Sequence, residues 1–156
     1  MSFAVTPIAF VHAERLAPTD DNWGGKLATI TLIDDLSPEA LWGLDAFSHV
    51  EILFVFDKVP ESAVVTGARH PRGNPAWPRV GIFAQRARSR PNRIGSTLCR
   101  IVAVEGRTLT VAELDAIDGT PVIDIKPVIR EFLPRGELRQ PPWVGEVMQD
   151  YWAEGG

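Results

Sequence analysis

One cysteine, one tyrosine and three histidines are all that 156 residues offer of the side chains most used as nucleophiles, metal ligands or proton carriers. A lone thiol, Cys99, can close no internal disulfide and build no thiolate metal cluster, so nothing points to an oxidising compartment and the cytoplasm is the expected location. With so few histidines, the only cysteine inside a strand-like run and no Gly-x-Ser-x-Gly elbow, no catalytic triad is credible. Also missing are Gly-x-Gly-x-x-Gly and a phosphate loop ending in Lys-Ser/Thr, which leaves a Rossmann cofactor site or an NTPase unsupported. No apolar run approaches membrane-spanning length. Met1 to Phe10 carry no cationic stretch leading into an apolar core and cleavage site, so a soluble, unexported protein with no membrane contact is expected.

What is present suffices for one globular domain over residues 1–156, since 45% hydrophobic content buries a real core at this length. Acidic groups are missing from one long stretch. Arg69 to Arg100 holds eight arginines (69, 72, 79, 86, 88, 90, 93 and 100) and no Asp or Glu, while the net charge of the whole chain is −4. A basic stripe on an otherwise acidic protein suits a polyanion, because phosphate attraction is local and screened over roughly 10 Å. The competing reading is that these arginines pair with acids elsewhere in the fold.

Strand-like runs cover Val5 to His12, Leu27 to Ile33, Ser48 to Phe56, Val80 to Gln85, Ile94 to Val104, Arg107 to Leu114 and Val122 to Ile125. Val50, Ile52, Phe54 and Phe56 alternate with the other face, which places a core on one side. Two runs joined by Glu105-Gly106 predict a hairpin. Ser37-Pro38-Glu39 predicts a short helix through Leu44, with the serine as N-cap and the proline at its first position. A second helix is predicted after Pro141-Pro142, with Val144, Val147, Met148, Tyr151 and Trp152 on one face for docking on the barrel or on a partner. Pro60 to Pro78 reads as a long loop. Closely spaced strands without helical crossovers make the fold class mainly β, a small antiparallel barrel with one or two short helices.

Three segments carry chemistry. Gly81 to Gly95 interleaves arginines with the turn residues Pro91, Asn92 and Gly95, a pattern that presents guanidinium groups and amides to an anion of unspecified kind. Leu114 to Pro127 holds Asp115, Asp118 and Asp124 near Gly119 and Pro121. At least one of these aspartates is expected to cap its own backbone, and the others can hold ribose hydroxyls or an amino group, with Lys126 able to pair with a carboxylate. Their spacing is not that of a calcium loop, and no metal site is expected. Gly43 to Val50 turns a helix into a strand at His49, more often a structural histidine than a base.

Phe47-Ser48-His49, Val80-Gly-Ile-Phe-Ala with Arg86, Arg90-Pro-Asn and Ile94-Gly95, and Leu114-Asp-Ala-Ile-Asp-Gly-Thr-Pro-Val-Ile-Asp-Ile-Lys-Pro127 occur in that order. Together they resemble the signature blocks of the TrmO, or TsaA-like, family over roughly Thr6 to Pro127. The resemblance implies a TsaA-like core at 6–127 with a helix-bearing extension at 128–156, a homodimer, and S-adenosylmethionine bound without a Rossmann fold. It implies transfer of methyl to the exocyclic amine of threonylcarbamoyl-adenosine in tRNA. It places the cofactor among Phe83, Ala84, Arg86, Arg90, Asn92, Ile94 and Gly95 of one block and Leu114, Asp115, Asp118, Thr120 and Pro121 of the other, with His49 at the rim. His49 and Asp118 are the candidates for catalysis, and Arg88 and Arg93 for contact with the tRNA backbone. The chain departs from the family pattern at Arg93, where proline is common, in the more basic Arg88-Ser89, in Asp20 to Gly24, and in the tail from Phe132 to Trp143. These departures keep open a different methyl acceptor, and the absence of an obvious base keeps open a non-enzymatic cofactor-binding module.

Overall fold

Alternation along β3, His49–Val55, decides the architecture: Val50, Ile52 and Phe54 are buried while His49, Glu51, Leu53 and Val55 face outward. The computed structural model describes residues 1–155. Six strands, β1 (Ala9–Ala13), β2 (Leu27–Leu32), β3, β6 (Ile94–Glu105), β7 (Thr108–Ala112) and β8 (Pro121–Pro127), close into a barrel in the order β1-β2-β7-β6-β3-β8. Every neighbouring pair is antiparallel. Val11, Ile30, Leu32, Val50, Ile52, Phe54, Cys99, Leu109, Val111 and Val122 fill the interior. Burial, followed by the nearby charges of Asp115 and Glu113, pushes the Cys99 thiol up, so it is a core methylene substitute and not a nucleophile.

The β6–β7 hairpin closes as expected, with Glu105 opposite Thr108 and Gly106 at φ 58°. Elsewhere the elements are shorter than the sequence predicts. The first strand starts at Ala9, not Val5, because Met1 to Thr6 are exposed and Pro7 has no amide hydrogen to add to a ladder. The run from Val80 contributes only β5 (Val80–Gly81), paired with β4 (Ala68–Arg69) outside the barrel, and then tightens into a 3₁₀ turn at Ile82–Ala84. There the Gln85 side-chain amide donates to the Arg69 and Val80 carbonyls in place of strand bonds. The helix expected after Ser37 is two 3₁₀ turns, Pro38–Leu41 and Leu44–Ala46, divided by Gly43 at φ 91°. Ser37 does cap it, accepting from the Glu39 amide at 3.1 Å. The last helix, α1, is only Pro142–Val147, so Tyr151 and Trp152 lie in the turns beyond it.

Two features of the barrel position the site. The β1–β8 ladder is short, with Ala9 opposite Val122 and Phe10 opposite Pro121, and loop backbone extends it through the Ile8 amide on the Val122 carbonyl, the Val11 amide on the Thr120 carbonyl and the Gly119 amide on the Val11 carbonyl. And β6 outruns β7: pairing on that side stops at Arg100 opposite Ala112, while the β3 side is paired down to Ile94. Ile94 to Cys99 therefore present an edge that other groups must satisfy.

Gly95 sits where β6 crosses the core aromatics. A Cβ there would stand 2.7 Å from the Phe54 ring and 2.8 Å from that of Phe56. This residue is a packing necessity before it is anything else, and Gly95→Ala is expected to destabilise the chain by about 1–3 kcal/mol through overpacking. A denaturant midpoint equal to wild type would overturn that assignment.

Candidate functional site

The open edge of β6 is where the two signature blocks meet. From the loop after β5, Arg86 reaches across and donates to the Ser96 carbonyl at 2.6 Å and to the Ser96 hydroxyl at 3.3 Å. From the β7–β8 connection, the Asp115 carboxylate accepts from the Thr97 hydroxyl on one oxygen and from the Tyr151 hydroxyl on the other. A guanidinium and a carboxylate are thus brought to successive residues of one strand. Arg86 keeps donors to spare and Asp115 retains a lone pair on each oxygen, the groups an amino-acid zwitterion or a vicinal diol needs.

The remaining candidates divide by what already occupies them. Arg90 donates to the Gln85 carbonyl at 2.6 Å and Arg93 to the Val59 carbonyl at 2.6 Å, so both brace the loop. Asn92 is exposed at φ 64° and Arg93 follows at φ 52°, left-handed backbone that asparagine tolerates best. Phe83 is 76% exposed beside the exposed Ala84, and Ile94 lies on the outer barrel face. Leu114 is in the core, and Thr120 is buried with its hydroxyl on the Ile117 carbonyl, so either can offer a ligand only its main chain. Pro121 opens β8. Asp124 is the aspartate that bonds its own local backbone, accepting from the Ile125 amide at 2.9 Å, whereas Asp118 accepts from the Ala13 amide at 3.1 Å across the β1–β8 seam. Lys126, expected to be able to pair with a carboxylate, pairs with Asp124 at 2.8 Å.

His49 stands apart. Its Nδ1 bonds the Ser48 hydroxyl at 2.6 Å, and its cross-strand partner is Arg100, three positions beyond Thr97 on β6. The neighbouring Phe47 lines an open apolar groove of about 420 Å³ with Ile8, Leu36, Trp42 and Pro127, and that groove shares no residue with the Arg86–Asp115 group.

The arginine stripe is largely unneutralised. Among the described residues Arg72 alone of the eight forms an ion pair, a two-bond contact with Asp21 at 2.9 and 3.2 Å. Arg69, Arg86, Arg90 and Arg93 are held instead by a side-chain amide or by carbonyls, which fix a guanidinium without cancelling its charge. Internal ion pairing therefore does not explain the stripe.

Sequence reasoning missed Ser96, Thr97 and Tyr151 as members of this site. Tyr151 was legible as part of an apolar face, but its hydroxyl's partner lies 36 residues away. Burial, then the Asp115 charge and hydrogen bond, hold its phenol well above the ordinary tyrosine range. Because the folded state raises this ionisation, its contribution to stability is complete below about pH 10 and is lost as pH rises beyond it. Being the single tyrosine in the chain, it can be followed by phenolate absorbance alone. Native protein is expected to show no titration near pH 10, and guanidinium-unfolded protein a normal one. Coincident curves would show the phenol to be free.

Comparison with known proteins gives these positions a context. Residues 11–132 match the family model described as tRNA-methyltransferase O N-terminal domain. A tRNA (adenine(37)-N6)-methyltransferase of Homo sapiens is 45% identical over 97 residues, covering 62% of this chain and 22% of that protein. A putative S-adenosylmethionine-dependent methyltransferase, RcsF, of Pseudomonas aeruginosa is 43% identical over 142 residues, covering 83% of this chain and 58% of its own length. The crystal structure of TrmO from Pseudomonas aeruginosa superposes with a TM-score of 0.72 at 29% identity, over 89% of this chain and 62% of that one. The chain thus spans less than two thirds of the length of each of these proteins. With the barrel, the order of the blocks and the matched region all in agreement, the chain belongs to the tRNA-methyltransferase O N-terminal domain family.

Proposed function

We propose that this chain is an S-adenosylmethionine-dependent methyltransferase acting on the exocyclic amine of an adenosine in tRNA, with threonylcarbamoyl-adenosine as the favoured acceptor, in the cytoplasm. The observation that carries the reading is the meeting of Arg86 and Asp115 on the open edge of β6, within the matched region and beside an arginine stripe that the fold leaves charged. The donor set suits the cofactor. Arg86 would take its carboxylate, Asp115 its ammonium or ribose hydroxyls, and the exposed Phe83 its adenine ring. When bound, the cofactor supplies a methyl group already activated by the sulfonium, so the protein's part is to bring the amine into line and keep it there. The proton released from the amine needs an exposed acceptor, and His49 has Nε2 to offer in the tautomer whose Nδ1–H donates to the Ser48 hydroxyl. Asp118 is the other candidate, with one carboxylate oxygen not used by the Ala13 amide.

Among the described residues no helix is long and apolar enough to cross a membrane. The dimer expected of the family would need exposed apolar surface, which β6 offers as well as Met148 and Trp152 at the C-terminus. Ile94, Leu98 and Val102 are 41%, 50% and 45% exposed on the long strand β6, whereas Tyr151 is turned inward onto its own barrel. Light scattering at twice the 17.2 kDa chain mass supports a dimer, and a monomer at micromolar concentration overturns it.

The test of function is transfer of labelled methyl from S-adenosylmethionine to tRNA from a strain lacking this modification, with nucleoside analysis of the product. Arg88 serves as the probe of the tRNA surface, since Arg93 also braces Val59 and its loss would disturb the loop. Arg88→Ala is expected to lower the slope of log affinity against log salt by about one unit while leaving cofactor affinity intact. Parallel slopes would remove Arg88 from the interface. Folded protein that binds neither S-adenosylmethionine nor its demethylated product would end the reading.

A further inference from the structure

The C-terminal segment lies outside the matched residues, yet its backbone is fastened to the Asn22–Gly24 loop and one of its side chains to the site. After α1 the chain runs back along Asn22 to Gly24. The Asn22 amide donates to the Asp150 carbonyl at 3.0 Å, the Trp23 amide to the Tyr151 carbonyl at 2.8 Å, and the Gly24 amide to the Ala153 carbonyl at 3.2 Å. Gly24 and Glu154 form a parallel bridge, and a Cβ added at Gly24 would overlap the Trp152 carbonyl. This approach admits only glycine. The receiving loop is itself anchored: Trp23 is buried with the Arg15 guanidinium 3.7 Å from its ring centroid, Arg15 donates to the Asp21 and Asn22 carbonyls, and Asp21 holds Arg72. The strap is therefore set on a rigid seat, and what it delivers is the Tyr151 hydroxyl, bonded to the Asp115 carboxylate.

We propose that Tyr151 is a positioning residue of the binding site, acting through Asp115, so that the strap from Met148 to Glu154 and its glycine seat are parts of that site. A carboxylate on a connecting loop can rotate, and each ligand bond it forms then costs the freedom it loses. Here the Thr97 and Tyr151 hydroxyls each hold one oxygen, which fixes the plane of the group while leaving one lone pair on each oxygen free to accept from a ligand. The two holders come from opposite parts of the chain, β6 and the strap, so the carboxylate is oriented only when both are docked. The sequence features with no role in the family blocks, Asp20 to Gly24 and the C-terminal extension, acquire one together. The inference rests on the reading that Asp115 contacts the bound cofactor.

The test is a double-mutant cycle on S-adenosylmethionine affinity, measured by calorimetry on wild type, Tyr151→Phe, Asp115→Ala and the double variant. Tyr151→Phe keeps the ring and removes only the hydroxyl, and is expected to weaken binding roughly tenfold, the scale of one hydrogen bond to a charged group. In the Asp115→Ala background the same change is expected to weaken it no further, because its route of action is gone. A purely structural role would predict losses that multiply, and that result overturns the proposal, as does wild-type affinity in Tyr151→Phe. Gly24→Ala supplies a second cycle with the tyrosine intact: displacing the strap is expected to weaken binding by a similar factor, again with no further loss when Asp115 is absent. Wild-type protein that is folded but binds no cofactor refutes the functional reading itself, and is thereby distinguished from a failure of Tyr151 alone.

Discussion

A strand that is longer than its neighbour leaves backbone donors and acceptors without partners, and the site of this protein is built on one such overhang. β6 runs on past the end of β7, and the stretch from Ile94 to Cys99, unpaired on that side, has to be satisfied by side chains and loops. Arg86 meets the Ser96 carbonyl, and Asp115 meets the Thr97 hydroxyl. Those two contacts draw together loops that are far apart in sequence. A fully paired barrel would have buried the same edge in a ladder and left no place for either group.

The loops around this edge are stiffened by arginine rather than by apolar packing. Arg15, Arg90 and Arg93 each place a guanidinium on main-chain carbonyls, and Arg72 grips a carboxylate with two bonds. A hydrogen bond from a charged donor to a carbonyl is stronger than a neutral one and leaves the positive field in place. The basic stripe can therefore be scaffold and polyanion surface at once, which is a different economy from the pairing of surface charges in which each arginine would be neutralised by an acid.

Much of this was legible beforehand, and the parts that were not share a cause. β3 follows from period-two alternation and the β6–β7 hairpin from Gly106, while Lys126 was legible as a partner for a carboxylate that the structure supplies as Asp124. The limits of the elements were harder to see, because they depend on partners. Val80 to Gln85 has strand-like residues, but Gln85 takes the carbonyls that a continuing ladder would use. Phe83 and Ala84 were placed in the site from the family pattern, and nothing in their own chemistry marks them. Ser96, Thr97 and Tyr151 escaped notice because a hydroxyl on a strand or in a tail carries no local signature; its meaning lies in a carboxylate many residues away.

The brevity of the β1–β8 seam bears on how the barrel opens. A rolled sheet whose seam has two ladder pairs and a few loop bonds beside them is clasped, not welded, and local opening in a protein starts where the fewest bonds must break. Amides of β1 and of the start of β8 should exchange with solvent sooner than those of β3 and β6, which are laced together over seven pairs. The turn carrying Asp118 and Thr120 is the outer half of that clasp, joined to β1 through the Ala13 amide and the Val11 backbone. Any molecule gripped by this turn acts as a latch, and its occupancy is written into the lifetime of the closed barrel.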